Sequence, residues 1–396
     1  MTIRLLSAAC LFGFAASGIA QQAEPAVGPV ITRGKLGPWG QLETWEIWLE
    51  PPTSQVLASG FLKEPAVWNL PPMPLSEAAA FLDQCGFTQE EIRALLDPER
   101  CLESEQGLTI QPPNDLIDSM PTEVRARLNQ NLANWPGNRF MSKPFVLSRE
   151  TIESLAATGH HGVPEEVISR ANHLIYQRNG LNVFSDLPQI IRDLPAVETQ
   201  IDFTQVLLRS KSLMGRVKVS SGADLDDFRR YWSAGTLNKG VLPILDAVVT
   251  GTDEEYLDLV HLLPPNPRRL LYTFARVSMS LSEKYPDCFW TSMNFFEPET
   301  SNRFLDFPFA RLGDTTWTEV PLPLQFGDII YIDKADGSDA VHACNFLADD
   351  LVFTKNGSSL MRPFIIDHLD SILQSYHQEG ETRLRYFRHR NLVQSE

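Results

Sequence analysis

The chain has 396 residues, of which 43% are hydrophobic and 10% aromatic. This composition can bury a substantial core and excludes a low-complexity chain, and the length favours two domains. The 34 basic and 50 acidic residues give a net charge of −16, the wrong sign for general binding of nucleic acid or anionic lipid. With five cysteines and no CxxC pair, neither a small disulfide scaffold nor a structural zinc site is expected.

The first 20 residues have the pattern of a secretory signal peptide. Arg4 supplies a positive charge, an apolar run follows, and small residues end at Ala20. We therefore expect cleavage near Ala20 and export of the mature chain to the periplasm or the cell exterior. No later stretch is apolar over the roughly 18 residues that a membrane-spanning helix needs, so no transmembrane segment is expected in the mature chain.

Residues 21–265 are predicted to form a mostly α-helical N-terminal region of unknown role. Gly86 is a helix-ending residue, and Thr88 begins a capping box for the helix after it. The apolar periodicity predicts a short strand at 44–49, helices at 76–84, 121–133, 164–177, 223–233 and 239–249, and a β hairpin at 206–219.

Two cysteines of this region, Cys85 and Cys101, leave two outcomes open. In an oxidising compartment they could form a disulfide, or both could be buried free thiols.

After a proline-rich boundary, a cysteine stands at the head of a predicted helix. Pro286 and Asp287 are typical helix-start residues, which places Cys288 in the first turn. The unpaired N–H groups there favour a thiolate, the nucleophilic form of cysteine. The alternative is a small buried cysteine that fills a helix–sheet contact.

Three antiparallel strands are predicted after this helix, at 329–332, 341–347 and 351–357. Period-two alternation places His342 on one face of the second strand, and Thr354 and Asn356 share a face of the third. A cysteine, an imidazole and a polar group that orients the imidazole are what thiol-based acyl transfer requires. The alternative for His342 is a half-buried strand histidine whose ring is satisfied.

The order Asp287-Cys288, then Gly327-Asp328 at the head of a strand, then His342 on the next strand resembles the NlpC-type branch of the papain-like cysteine peptidases. The resemblance covers roughly residues 266–390, and 54 residues separate Cys288 from His342. It implies an α+β fold in which a papain-like domain at 266–396 packs a nucleophile-bearing helix on an antiparallel sheet.

Members of that family cleave amide bonds in bacterial cell-wall peptides and need no metal or organic cofactor, so no cofactor is expected here. Carried over to this chain, the resemblance makes Cys288 the nucleophile and His342 the general base. Asn356, or alternatively Thr354, would orient the imidazole.

The chain departs from the family pattern where Phe289-Trp290 stand in place of the usual Ser-Gly. Tyr285 is the nearby phenol that could help to form an oxyanion hole, and Tyr285, Trp290 and Thr354 are the candidate substrate-binding residues. Cys344 shares the predicted face of His342 and could form a disulfide with Cys288.

Three functions are compatible with these residues. The first is a secreted thiol hydrolase that cleaves cell-wall peptides or another extracytoplasmic amide by a Cys-His-Asn mechanism. The second is a catalytically silent NlpC-like module that binds wall fragments or a protein partner, which the crowding by Phe289 and Trp290 favours. The third is a Cys-dependent acyltransferase built on the same three residues.

Overall fold

The computed structural model describes residues 28–219, 225–251, 256–306, 316–376 and 381–393. The predicted signal peptide at 1–20 lies outside these described residues. Within them, helices are combined with antiparallel sheets, which confirms the α+β class. No helix in these ranges is both long enough and apolar enough to cross a membrane.

The strands form four antiparallel sheets, with the orders β1-β2-β9-β10, β3-β5-β4, β6-β8-β7 and β11-β16-β12-β13-β14-β15. Their bounds are β1 Thr32–Gly37, β2 Gly40–Leu49, β3 Trp68–Leu70, β4 Cys101–Ser104, β5 Gly107–Ile110, β6 Phe145–Ser148, β7 Tyr176–Arg178, β8 Leu181–Phe184, β9 Ser210–Lys218, β10 Tyr256–Asp258, β11 Trp317–Glu319, β12 Ile329–Lys334, β13 Ala340–Ala348, β14 Leu351–Lys355, β15 Phe364–His368 and β16 Thr382–His389.

The helices are mostly short and lie before, between and after these sheets. Their bounds are α1 Thr53–Ala58, α2 Leu75–Cys85, α3 Gln89–Leu95, α4 Asn114–Ser119, α5 Thr122–Leu132, α6 Arg139–Ser142, α7 Ile152–Ala157, α8 Glu165–His173, α9 Leu187–Asp193, α10 Val197–Leu208, α11 Leu225–Ser233, α12 Leu242–Gly251, α13 Leu259–Leu262, α14 Pro265–Leu270, α15 Cys288–Met293, α16 Leu369–Tyr376 and α17 Arg390–Val393.

The described residues contain two large hydrophobic cores. The first core runs from Val56 to Leu208 and contains α1 to α10 with both three-stranded sheets. The second core contains Leu42 of β2 together with residues from Leu213 to Leu392. Leu42 of β2 and the apolar residues of β9, β10 and α11 to α13 that the structure describes therefore pack with the C-terminal sheet, because their side chains are buried in this core.

The predicted hairpin at 206–219 is wrong. Residues up to Leu208 belong to α10, and β9 pairs along its whole length with β2, from Ser210 opposite Leu49 to Lys218 opposite Gln41. Sequence periodicity could not show this pairing, since the two strands are about 160 residues apart in the chain. The predicted helix at 164–177 also ends early, at His173, and β7 follows it.

Several local predictions are confirmed by the structure. Gly86 ends α2 in the left-handed conformation, and Thr88 forms the expected capping box with Glu91 at the start of α3. The cysteine-bearing helix α15 and the strands β12, β13 and β14 occur in the predicted order.

The Gly-Asp motif at the head of β12 has a structural cause. Gly327 has a φ of +87°, and a Cβ atom at this position would lie 2.2 Å from Phe296 Cζ. Asp328 is fully buried and pairs with Arg388 of β16 at 2.9 Å, which holds the turn against the neighbouring strand. The motif is therefore needed for packing, whatever the chemistry of the domain.

Ser212 of β9 joins the four-stranded and six-stranded sheets. Its hydroxyl donates to the Ile366 carbonyl at 3.1 Å and accepts from the Ile366 N–H at 3.2 Å. These bonds fix β9 against β15, so the end of the first core lies beside the edge of the large sheet.

All four cysteines in the described part of the chain are buried free thiols. Of the two outcomes open for Cys85 and Cys101, the structure shows the free thiols. Cys288 and Cys344 are likewise not joined by a disulfide.

Candidate functional site

The head of α15 has the local structure that the sequence predicts. The Asp287 side chain caps the helix, its Oδ1 accepting from the Trp290 N–H at 2.8 Å. Cys288 is the first residue of the helix. The six residues of α15 are all buried, so the helix is fully enclosed and does not border an open groove.

The Cys288 thiol lies in an environment that keeps it protonated. Burial raises its pKa to about 12, and the charge of the adjacent Asp287 acts in the same direction. Hydrogen bonding from backbone N–H groups, including that of Ala343, lowers the pKa but does not offset burial. Desolvation therefore opposes the thiolate that the short helix N-terminus was expected to favour.

His342 lies fully buried on β13, opposite Ile332 of β12. Its ring stacks on Tyr376 of α16, with the ring centroids 4.4 Å apart. Its Nε2 lies 3.0 Å from Thr354 Oγ1, and no partner within the described residues reaches Nδ1. Burial lowers the pKa of the imidazole to about 3, so the ring is neutral.

Thr354 determines which nitrogen of His342 carries the proton. Its hydroxyl also lies 3.1 Å from the Ala343 carbonyl, which can only accept. A hydroxyl has one hydrogen, so Thr354 donates to Ala343 and accepts from His342 Nε2–H. The Nδ1 lone pair is then a buried acceptor without a donor among the described residues.

The expected hydrogen bond between Cys288 and His342 is not formed. Cys288 packs with Ala343 and Leu347 in the core on the α15 side of the sheet. His342 shares the opposite face with Cys344, which belongs to the small core under α16. The correction follows from strand alternation: α15 covers the neighbours of His342 on β13 and leaves His342 on the other face.

The orienting role predicted first for Asn356 is also corrected. Thr354, the alternative, is the residue that contacts the imidazole. Asn356 lies beyond the end of β14 and lines an open cleft, and its buried Oδ1 has no hydrogen-bond partner among the described residues.

The two aromatic candidates do not form a substrate surface. Trp290 is 1% exposed and packs against Phe364, so it is a core residue and not a substrate-binding one. Tyr285 is half-buried and forms no hydrogen bond with the described residues. The oxyanion role expected for Tyr285 therefore has no contact to support it.

Lys355 is a neighbour of Cys288 that no sequence motif indicates. It is fully buried at the end of β14, and Nζ donates to the carbonyls of Gly357 and Ser359, both at 2.7 Å. Burial lowers its pKa to about 7, and the charge of Asp287 acts in the opposite direction. No sequence signal separates this lysine from an exposed strand-end lysine.

An open cleft among the described residues lies away from the thiol. It has a volume of about 610 Å³ and opens between the end of the first core and the outer edge of the six-stranded sheet. Its polar lining includes Asn356, Arg362 and Asp367, whereas Cys288 and His342 do not reach it. Neither the arginine nor the aspartate belongs to a motif that the sequence displays.

Two further findings concern metal ligands and similarity to known proteins. Within the described ranges, no group of three or more His, Cys, Asp or Glu side chains could hold a metal ion. Comparisons of the chain with family models, curated proteins and solved structures found no match.

Proposed function

We propose that the chain is an exported binding protein whose C-terminal part is a catalytically silent, papain-like relative of the NlpC-type peptidases, with cell-wall peptides as its ligand class. The observation that carries this proposal is the position of Cys288: a buried thiol that lies on the other side of the sheet from His342 and forms no hydrogen bond with it. The order of α15, β12, β13 and β14 supports the papain-like part of the proposal.

A thiol hydrolase needs an acceptor for the thiol proton. Here the thiol has a pKa of about 12 and the imidazole a pKa of about 3, so the proton stays on sulfur. The two side chains also belong to different faces of the sheet, so a simple rotation of one side chain does not join them.

A binding role needs an accessible polar surface, and the cleft beside Asn356 offers one. It combines charged and apolar walls and is large enough for a short peptide. The binding function therefore does not depend on the thiol.

The first experiment compares wall-peptide binding with thiol chemistry in the same preparation. Soluble peptides released from peptidoglycan are titrated into the mature wild-type chain and into Cys288→Ala, and new amino groups are measured in parallel. We expect equal binding by both proteins and no release of amino groups. Cys344→Ala, which removes a second buried thiol on the other face of the sheet, is the matched control.

A second candidate, the thiol hydrolase, is favoured by one specific observation. The buried Nδ1 of His342 lacks a donor among the described residues, and the residue next to it, Ala343, hydrogen-bonds to Cys288 through its N–H. An orphaned buried acceptor costs free energy, which is typical of a group that gains a partner in another state. Amino-group release that is lost in Cys288→Ala and His342→Gln but kept in Cys344→Ala would replace the silent module with this candidate.

A further inference from the structure

Two opposite charges line the cleft at the two ends of one short segment, residues 362–367. Arg362 stands just before β15, and Asp367 lies within it; both line the cleft. Their side chains contribute opposite charges to one lining segment, with Ile365 between them, and the apolar Trp48 and Leu207 line other parts of the cleft.

Arg362 has no ion-pair partner among the residues that the structure describes. Its one side-chain hydrogen bond joins Nη1 to Ser210 Oγ over 3.4 Å. The buried Arg125 and Arg388, by contrast, are each paired with a buried aspartate, at 2.8 and 2.9 Å. Arg362 is half-buried, and its guanidinium is therefore available to a ligand that supplies a carboxylate.

Asp367 is the corresponding anion. It is 8% exposed, and its Oδ1 accepts only from the adjacent His368 N–H, at 2.8 Å. No cation of the described ranges lies within ion-pair distance of its carboxylate, and burial raises its pKa. A ligand ammonium would therefore satisfy Asp367, as a ligand carboxylate would satisfy Arg362.

Two other basic residues that line the cleft already have carboxylate partners. Arg209 is bonded to Glu50, and Lys211 pairs with Glu46 at 3.1 Å. Arg149 is exposed at the rim of the cleft.

Glu150 also lines the cleft and accepts from Ser154 Oγ at 2.6 Å. Lys211 and His368 lie near enough to Asp367 to lower its pKa, although neither forms an ion pair with it. Arg362 and Asp367 are therefore the charges at the two ends of one lining segment that a ligand's termini can reach.

We infer that the cleft binds a short zwitterionic peptide, with a carboxylate on Arg362 and an ammonium on Asp367; this rests on the proposed binding function. The five-residue separation spans at most about 17 Å of extended chain, which fits a peptide of about four residues. The orphaned Asn356 Oδ1 accepts a backbone N–H of the bound peptide, and the apolar lining packs against its side chains.

The test uses tetra-alanine with both termini free, together with its N-acetylated and C-amidated forms, titrated calorimetrically into the mature chain. Capping either terminus is expected to weaken binding to the wild type at least tenfold. Arg362→Gln should bind the C-amidated peptide as tightly as the uncapped one. Asp367→Asn should likewise bind the N-acetylated peptide as tightly as the uncapped one.

Matched controls remove the same charges elsewhere. Arg383→Gln and Asp115→Asn change residues of β16 and α4 outside the cleft and should leave both capping effects intact. Because Asn keeps the acceptor for the His368 N–H, Asp367→Asn is expected to fold, and circular dichroism checks each variant.

The outcomes separate the zwitterionic ligand from the proposed function. If capping the termini does not change the affinity, or if Arg383→Gln weakens binding as much as Arg362→Gln does, the assignment of the cleft is wrong. The proposed binding of wall peptides would not be affected by that result. Failure of both tetra-alanine and the wall peptides to bind the wild type would overturn both. Release of amino groups that depends on Cys288 would overturn only the silent module.

Discussion

Iodoacetamide is expected to modify Cys288 much more slowly than an exposed cysteine. With a pKa of about 12, the thiol is ionised to about 3 × 10⁻⁵ at about pH 7.5, against about 0.1 for a thiol at its ordinary pKa of about 8.5. The ratio is about 3,000. The more basic thiolate is intrinsically about 40-fold more nucleophilic, so the net expectation is a rate about 100-fold lower before any steric protection.

The assay follows each cysteine by mass spectrometry after timed alkylation, with glutathione as the reference thiol. The alkylation rate of Cys288 should rise about tenfold per pH unit beyond about pH 9, because its thiolate fraction is still increasing there. Cys344, whose pKa is also raised by burial, serves as the internal comparison.

One result would contradict a buried, protonated thiol. If the alkylation rate of Cys288 reaches a plateau between about pH 8 and 9, and low concentrations of urea do not change it, the thiol in the folded protein has a nearly ordinary pKa. Alkylation within about tenfold of the glutathione rate, with Cys344 protected, would have the same meaning. Either outcome would favour the thiol hydrolase over the catalytically silent binding module.

Three further predictions concern stability. When the pH falls from about 7 to about 5, the free energy of unfolding of the wild type should decrease by about 2 kcal/mol more than that of His342→Gln. The reason is that the pKa of the His342 imidazole is about 3 in the folded state, below the unfolded value of about 6.5. This contribution is complete above the unfolded pKa and is lost as the pH falls towards the folded one. Arg388→Met should lower the free energy of unfolding by about 3–5 kcal/mol, because it leaves the buried Asp328 without its cation. Gly327→Ala should cost about 1–3 kcal/mol more than Gly337→Ala, since both glycines have positive φ but only the first meets a neighbouring ring.

Urea denaturation monitored by circular dichroism measures all three effects. Equal acid sensitivity in His342→Gln and the wild type would assign the titration to another group. If Arg388→Met leaves the free energy of unfolding unchanged, Asp328 is protonated or solvated in that variant. Equal costs at the two glycines would show that the neighbouring ring moves aside.

Short-range sequence signals were enough to predict the local features of the C-terminal region. Asp287 as a helix cap, the cysteine at the head of α15 and the succession of β12, β13 and β14 all follow from patterns within a few residues. Capping and turn preferences are local, so they survive whatever the chain does elsewhere. The capping box at Thr88 is predictable for the same reason.

What those elements do together depends on tertiary contacts. Alternation places His342 and Ala343 on opposite faces, but nothing local says which face α15 covers, and that choice separates the imidazole from the thiol. The pairing of β2 with β9 and the cleft that Arg362 and Asp367 line likewise come from contacts between distant segments. Burial and pKa depend on every element packed around a group, so the reactivity of Cys288 is a property of the whole core and not of its motif.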